Sequence, residues 1–207
     1  IMEFSEIVQQ RQSIKSYQPG KEISDAELKE LMQEVVLSPS SFNLQHWTFI
    51  AIRDKGVREK IQQASWNQEQ VGACSILLVI CGKLDAYQDA PKIYQGAAQE
   101  IQEKVLPMIK NFYDGKDQLQ RDEAIRSASL AAMVLMLAAH NRGWATVPMI
   151  GFDPDAVSKL ANLKPNYIPA MLMTLGYKKD DPRPRDYRRP IEEIVRMNTL
   201  DGPGLMA

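Results

Sequence analysis

Ser127-Ala128-Ser129-Leu130-Ala131-Ala132-Met133-Val134-Leu135-Met136-Leu137-Ala138-Ala139-His140 holds the longest uncharged stretch near the middle of the chain. Its apolar residues occupy nearly the whole circumference of the helix predicted over 127–140, which calls for burial on more than one side. Gly143 supplies the stop, since glycine reaches the left-handed conformation that closes helices. The stretch is well short of the roughly 20 residues needed to cross a bilayer. It is therefore expected to be a core or interface helix, although periodicity alone does not separate the two.

Outward from this helix the chain alternates between strands and helices. On the C-terminal side, Trp144 to Met149 is expected to be extended, and Gly151-Phe152-Asp153-Pro154 reads as a loop entering a helix with Asp153 as cap and Pro154 in the first position. Ala170-Met171-Leu172-Met173-Thr174-Leu175 predicts a buried strand ending at Gly176. On the N-terminal side, Ile76-Leu77-Leu78-Val79-Ile80 shows no alternation, so both faces of that strand should be covered. Tyr94, Ala97, Ala98, Ile101 and Val105 fall at helical spacing, and Pro107 is expected to end or bend the element. Trp47 to Ile52 predicts a further strand. Ser24-Asp25-Ala26-Glu27 has the form of a capping box, followed by the apolar face Leu28, Leu31, Met32, Val35 and Val36, with Pro39 closing the helix. Phe4, Ile7 and Val8 predict a short first helix. The sum is a mixed sheet with helices in one domain, residues 1–207, whose proline- and charge-rich end from Lys178 cannot make a core and must lie across something else.

Composition narrows the function classes. The chain has 207 residues, and 25 Lys and Arg stand against 26 Asp and Glu. No overall charge steers it to nucleic acid or to an anionic membrane, and any anion site must be local. The N-terminus lacks a basic region followed by an apolar one, which disfavours a secretory signal. Cys74 and Cys81 lie in apolar surroundings and are expected to be buried, reduced thiols, consistent with a cytoplasmic protein. No dinucleotide fingerprint, P-loop or nucleophile elbow is present. His46 and His140 are far apart and lack metal-ligand spacing, so no metal is expected. Chemistry, if any, then belongs to a bound organic cofactor.

Two segments carry polar groups in usable patterns. Arg11-Gln12-Ser13-Ile14-Lys15 puts two cations and a hydroxyl at alternate positions, so an extended backbone points all three to one side. That pattern suits a phosphate, because guanidinium pairs donors with phosphate oxygens and ammonium adds charge; the alternative is a solvated edge with stray charges. Ser38-Pro39-Ser40-Ser41-Phe42-Asn43-Leu44-Gln45-His46-Trp47 packs hydroxyls and two carboxamides between a helix and a strand. Carboxamides donate and accept, which suits a heterocycle edge; the alternative is an ordinary polar turn.

Together these segments resemble the FMN-binding signatures of the nitroreductase family. Trp66-Asn67-Gln68, the alanine-rich central helix, Pro148-Met149-Ile150-Gly151-Phe152 and Arg188-Arg189-Pro190 follow the same order over nearly the whole chain. The resemblance implies an α+β three-layer sandwich, a central mixed sheet flanked by helices, and a homodimer with a long central interface helix. In it residues 178–207 form an extended segment that packs on the partner subunit.

It also implies site roles. Arg11, Ser13 and Lys15 would hold the FMN phosphate and ribityl chain, and Arg188 would close that site. Arg188 is preferred to Arg189 because it stands two places before Pro190. Relatives often carry another cation where Asp186 stands, so the resemblance leaves one charge of the grip open. Ser40, Ser41, Asn43, Gln45 and Asn67 would line the ring edge and ribityl hydroxyls. Pro148 would pack on the ring, with the backbone N–H groups of Ile150 and Gly151 near flavin N5. Phe112 and Tyr113 would border the substrate pocket. NADH or NADPH would deliver hydride to N5, and a flat nitroaromatic or quinone would take the electrons in the same place, a ping-pong scheme. Related flavoenzymes that use reduced FMN for dehalogenation or oxygen activation, and a non-catalytic flavin-binding protein, are the alternatives.

Overall fold

A computed structural model describes residues 2–206, so the outermost limits of the expected domain, residues 1 and 207, lie outside the described residues. In chain order the elements are α1 (Phe4–Gln10), α2 (Asp25–Val35), β1 (Trp47–Ile52), α3 (Lys55–Gln63), α4 (Glu69–Ala73) and β2 (Ile76–Lys83). They continue with α5 (Ala90–Ile93), α6 (Gln99–Tyr113), α7 (Asp117–Asn141), β3 (Ala145–Met149), α8 (Pro154–Leu160), β4 (Tyr167–Gly176) and α9 (Ile191–Ile194).

The helix boundaries follow local signals. Ser24 Oγ accepts the Glu27 N–H while the Glu27 carboxylate accepts the Ser24 N–H, which completes the capping box of α2. Asp153 caps α8 through the Asp155 and Ala156 N–H groups, with Pro154 in the first turn. Gly143, at φ 77°, follows the end of α7 as expected.

The strands pair in the order β1-β2-β4-β3. β2 is buried except at Lys83, and its side chains divide between two cores. Ile76, Leu78 and Ile80 face α2 and α7, together with Leu31, Val35, Ala131 and Leu135. Leu77, Val79 and Cys81 face the opposite side, where Ile61 of α3, Val71 of α4 and Val157 of α8 cover them. Helices therefore flank the sheet on both faces, which explains the missing alternation. A third, smaller core joins Leu44, Ala86, Ala90, Ile109 and Tyr113 beside the sheet.

Three expectations need correction. The sheet is not mixed in its named strands: β1–β2, β2–β4 and β3–β4 are all antiparallel, and the one parallel pairing among the described residues is the bridge Ser13–Thr146. Of the two outcomes expected at Pro107, an end is excluded, because α6 runs through it to Tyr113, and that helix starts only at Gln99, so Tyr94, Ala97 and Ala98 precede it outside any helix. Both Pro107 and Glu103, whose carbonyl loses its usual donor, lie on the exposed face, where water can replace the missing bond. The central helix begins ten residues earlier than the apolar run, at Asp117. Its polar first turns bury Glu123, which accepts from Ser127 and pairs with Arg126. Ala124 packs so closely on β2 that a Cβ on Gly82 would lie 2.7 Å from its carbonyl oxygen. With ten buried residues, α7 is a core helix.

Candidate active site

Residues 11–15 leave the end of α1 in extended form, and Ser13 bridges Thr146 at the outer edge of β3. The returning C-terminal segment lies opposite. Between them opens a cleft of about 550 Å³, lined by Arg11, Ser13, Lys15, Arg185 and Arg188 among others. The three cations singled out in sequence thus meet at one place.

The cleft carries net positive charge: Arg11, Lys15, Arg183, Arg185 and Arg188 line it against Asp180, Asp181 and Asp186. Of these carboxylates Asp181 pairs with Lys178, Asp186 pairs at 3.7 Å with Arg183, and Asp180 accepts the Ser16 hydroxyl. Arg11, Lys15, Arg185 and Arg188 have no carboxylate at ion-pair distance among the described residues. Burial, and then the charges of Arg185 and Arg188, pull the Arg11 guanidinium below its ordinary pKa. An anion placed here would relieve that repulsion.

Arg185 was missed in the sequence. Its guanidinium donates to the Gln9 and Arg11 carbonyls, at 2.5 and 3.0 Å, where α1 leaves its last acceptors unpaired. Arg185, next to Asp186, thus adds a cation to the cleft lining. The signal lay in the run Arg183-Pro184-Arg185-Asp186-Tyr187-Arg188-Arg189, but spacing in an irregular segment does not say which cations face inward.

A second group follows along the same edge. Pro148 is exposed on β3, and Ile150 beyond it is 83% exposed. The Ile150 and Gly151 N–H groups donate to no other described residue. Gln68 Nε2 donates to the Gly151 carbonyl at 3.0 Å, and Trp66 lies beside Gly151 so closely that a Cβ there would meet its ring at 3.3 Å. Trp66 and Asn67 are both left-handed, at φ 53° and 55°.

The third group stands apart. The 40–45 loop precedes β1, at the Trp47 end of one sheet edge, whereas Ser13 pairs with Thr146, level with Leu175 on the other edge. Edge strands β1 and β3 are three strand spacings apart, about 14 Å, and the two sites lie at opposite ends along the strands. Ser40, Ser41, Asn43 and Gln45 therefore do not line the cationic cleft of their own chain. Instead Ser41 Oγ is 2.5 Å from the Tyr113 hydroxyl, and the Gln45 N–H donates to Ser40 Oγ. Phe42, Asn43 and Gln45 are left-handed, a conformation costing about 1–2 kcal/mol for each residue with a side chain. Phe112 is 45% exposed and packs edge-on against Phe42. Tyr113, by contrast, is 2% exposed, and its ring fills the third core.

Cys74 and Cys81 are free and buried, as expected, and burial pushes their thiols up to about 11 and about 12. No metal-ligating cluster occurs among the described residues.

The family model described as the nitroreductase family matches residues 8–177. The chain is 39% identical over 201 residues to the Bacillus subtilis protein MhqN, provisionally named an NAD(P)H nitroreductase, with 93% of this chain and 98% of that protein covered. The solved structure of ydfN from Bacillus subtilis, provisionally a nitroreductase, matches at a TM-score of 0.89 and 38% identity, over 93% of this chain and 97% of that one. A provisional nitroreductase from Exiguobacterium sibiricum, solved in complex with FMN, matches at a TM-score of 0.89 and 29% identity, over 96% and 98%. The chain belongs to the nitroreductase family.

Proposed function

We propose that the protein is an FMN-dependent oxidoreductase that takes electrons from NADH or NADPH and passes them to flat nitroaromatic or quinone acceptors. The observation that carries this is the cluster of Arg11, Lys15, Arg185 and Arg188 around one cleft without carboxylate partners. Such a set fits a doubly negative phosphate, and the FMN complex of the Exiguobacterium relative supports flavin as its bearer.

In this reading Arg11, Ser13, Lys15 and Arg188 hold the phosphate and ribityl chain, with Arg185 as a further cation. Lys15 also brings positive charge toward the pyrimidine edge of the ring, where negative charge gathers on reduction. Asn67 binds at the ring edge. Pro148 offers an exposed flat surface for packing, and the unused N–H groups of Ile150 and Gly151 are donors toward N5. Bound FMN supplies an N5 that accepts hydride from the nicotinamide and then passes electrons to an acceptor stacked in the same place, a ping-pong order.

Ser40, Ser41, Asn43 and Gln45 reach the flavin of a second copy. Their position at the far corner of the sheet supports a homodimer with each site shared between chains. Exposed apolar residues support it too: Leu130 and Met133 on α7, and Tyr187, Ile191, Leu200 and Met206 on the C-terminal segment, whose described residues 178–206 find little cover on their own chain. Buried free thiols fit a cytoplasmic setting.

The test is anaerobic titration of the purified protein with NADH and with NADPH, followed by an acceptor panel. A yellow protein bleached by one nicotinamide and recoloured by a nitroaromatic or quinone is the expected result. A colourless protein that takes up no added FMN overturns the proposal. Yellow protein that neither nicotinamide bleaches would be a flavin-binding module.

A further inference from the structure

The 40–45 loop is held from outside by two tyrosine hydroxyls. Tyr94, the residue that closes α5, donates its hydroxyl proton to the Phe42 carbonyl at 2.8 Å. Tyr113, the last residue of α6, places its hydroxyl 2.5 Å from Ser41 Oγ. Both come from the helical excursion between β2 and α7, which packs on the rest of the chain through the small core around Tyr113, Leu44 and Ile109.

That core is built around the loop. The Tyr113 ring stacks on Tyr87 at 6.0 Å and meets Phe42, His46 and Phe112 edge-on. Phe42, at φ 50°, drives its own ring into this aromatic cluster, so the left-handed turn and the cluster require each other. Without the two hydroxyls, the loop would keep three left-handed side-chain-bearing residues held by the Gln45 N–H to Ser40 Oγ bond, the Gln45 Nε2 to Asn43 carbonyl bond, local turn bonds and the burial of Leu44. Burial raises the Tyr113 phenol above its ordinary pKa, so it keeps its proton. Either oxygen can donate in this pair; with the phenol, the stronger acid, as donor, the Ser41 proton is left for another acceptor.

We propose that Tyr94 and Tyr113 are positioning residues for the flavin: the α5–α6 excursion sets the backbone of the 40–45 loop through their hydroxyls and turns Ser41 into an outward donor. The inference rests on the FMN reading above. It gives α5–α6 a role in cofactor binding that neither tyrosine performs by contact.

The test compares Tyr94→Phe, Tyr113→Phe and the double variant, which keep every ring and remove only hydroxyls. Apoprotein is titrated with FMN by fluorescence quenching, visible circular dichroism of the bound flavin is recorded, and urea midpoints are measured alongside. Each single variant is expected to bind FMN up to about tenfold more weakly, the scale of one lost hydrogen bond, with altered flavin dichroism. The double variant should be weaker still. Urea midpoints that fall while FMN affinity and flavin dichroism stay as in the parent would assign the tyrosines to stability alone and overturn the inference. Unchanged values throughout would also overturn it. If the parent protein itself binds no FMN, the functional reading fails first and this inference with it; a parent that binds and variants that bind equally well sink the inference alone.

Discussion

Arg11 carries the sharpest expectation. In the proposed site it would make a charge-assisted phosphate contact worth about 1.5–3 kcal/mol, so Arg11→Ala is expected to weaken FMN binding about ten- to a hundredfold, measured by fluorescence quenching. Arg188→Ala should act in the same direction, whereas Arg189→Ala, at a position outside the cleft lining, should bind FMN within about twofold of the parent. Equal losses at 188 and 189 would contradict the register. Alternation made Arg11, Ser13 and Lys15 legible, because an extended backbone fixes which side chains share a side. Arg185 was not legible, since no periodicity governs an irregular segment. Nor was the burial of Tyr113: it shares the end of α6 with the exposed Phe112, and only packing on Tyr87 and Ser41 distinguishes them.

Among the elements, the contact between α7 and β2 is the tightest constraint. A methyl group at Gly82 would press on the Ala124 backbone at 2.7 Å, and backbone yields far less readily than a flexible side chain. Gly82→Ala is expected to destabilise the protein by about 1–3 kcal/mol, the usual cost of overpacking, read as a lower urea midpoint. A midpoint equal to the parent's would mean that α7 can move away freely. Caps and buried strands were readable for local reasons: Ser24 and Glu27 close their own hydrogen bonds, and unbroken apolar residues in 76–80 demand cover on both faces. The start of α7 was not. Asp117 through Arg126 is too polar to signal burial, yet Glu123 is buried and Gly82 of β2 packs directly on Ala124.

For the whole molecule, the 40–45 loop stands at one corner of the sheet and the cationic cleft at the other, and the proposed function makes the single chain half a site. Sedimentation equilibrium is expected to return twice the chain mass. Leu130→Asp with Met133→Asp, on the exposed face of α7, should shift the species toward monomer and lower FMN affinity together, because desolvating two new carboxylates opposes association. Monomer that keeps full FMN affinity would refute the shared site.

Local chemistry was written in the residue order: the caps of α2 and α8, the strand segments and the shared face of Arg11, Ser13 and Lys15 all depend on neighbours a few positions apart. The antiparallel pairing of every named strand, the arrival of Arg185 beside Arg11, and the separation of the 40–45 loop from that cleft depend on residues far apart along the chain. Periodicity describes which face of an element is apolar but not which distant element covers it, so those features existed only once the sheet had closed around its cores.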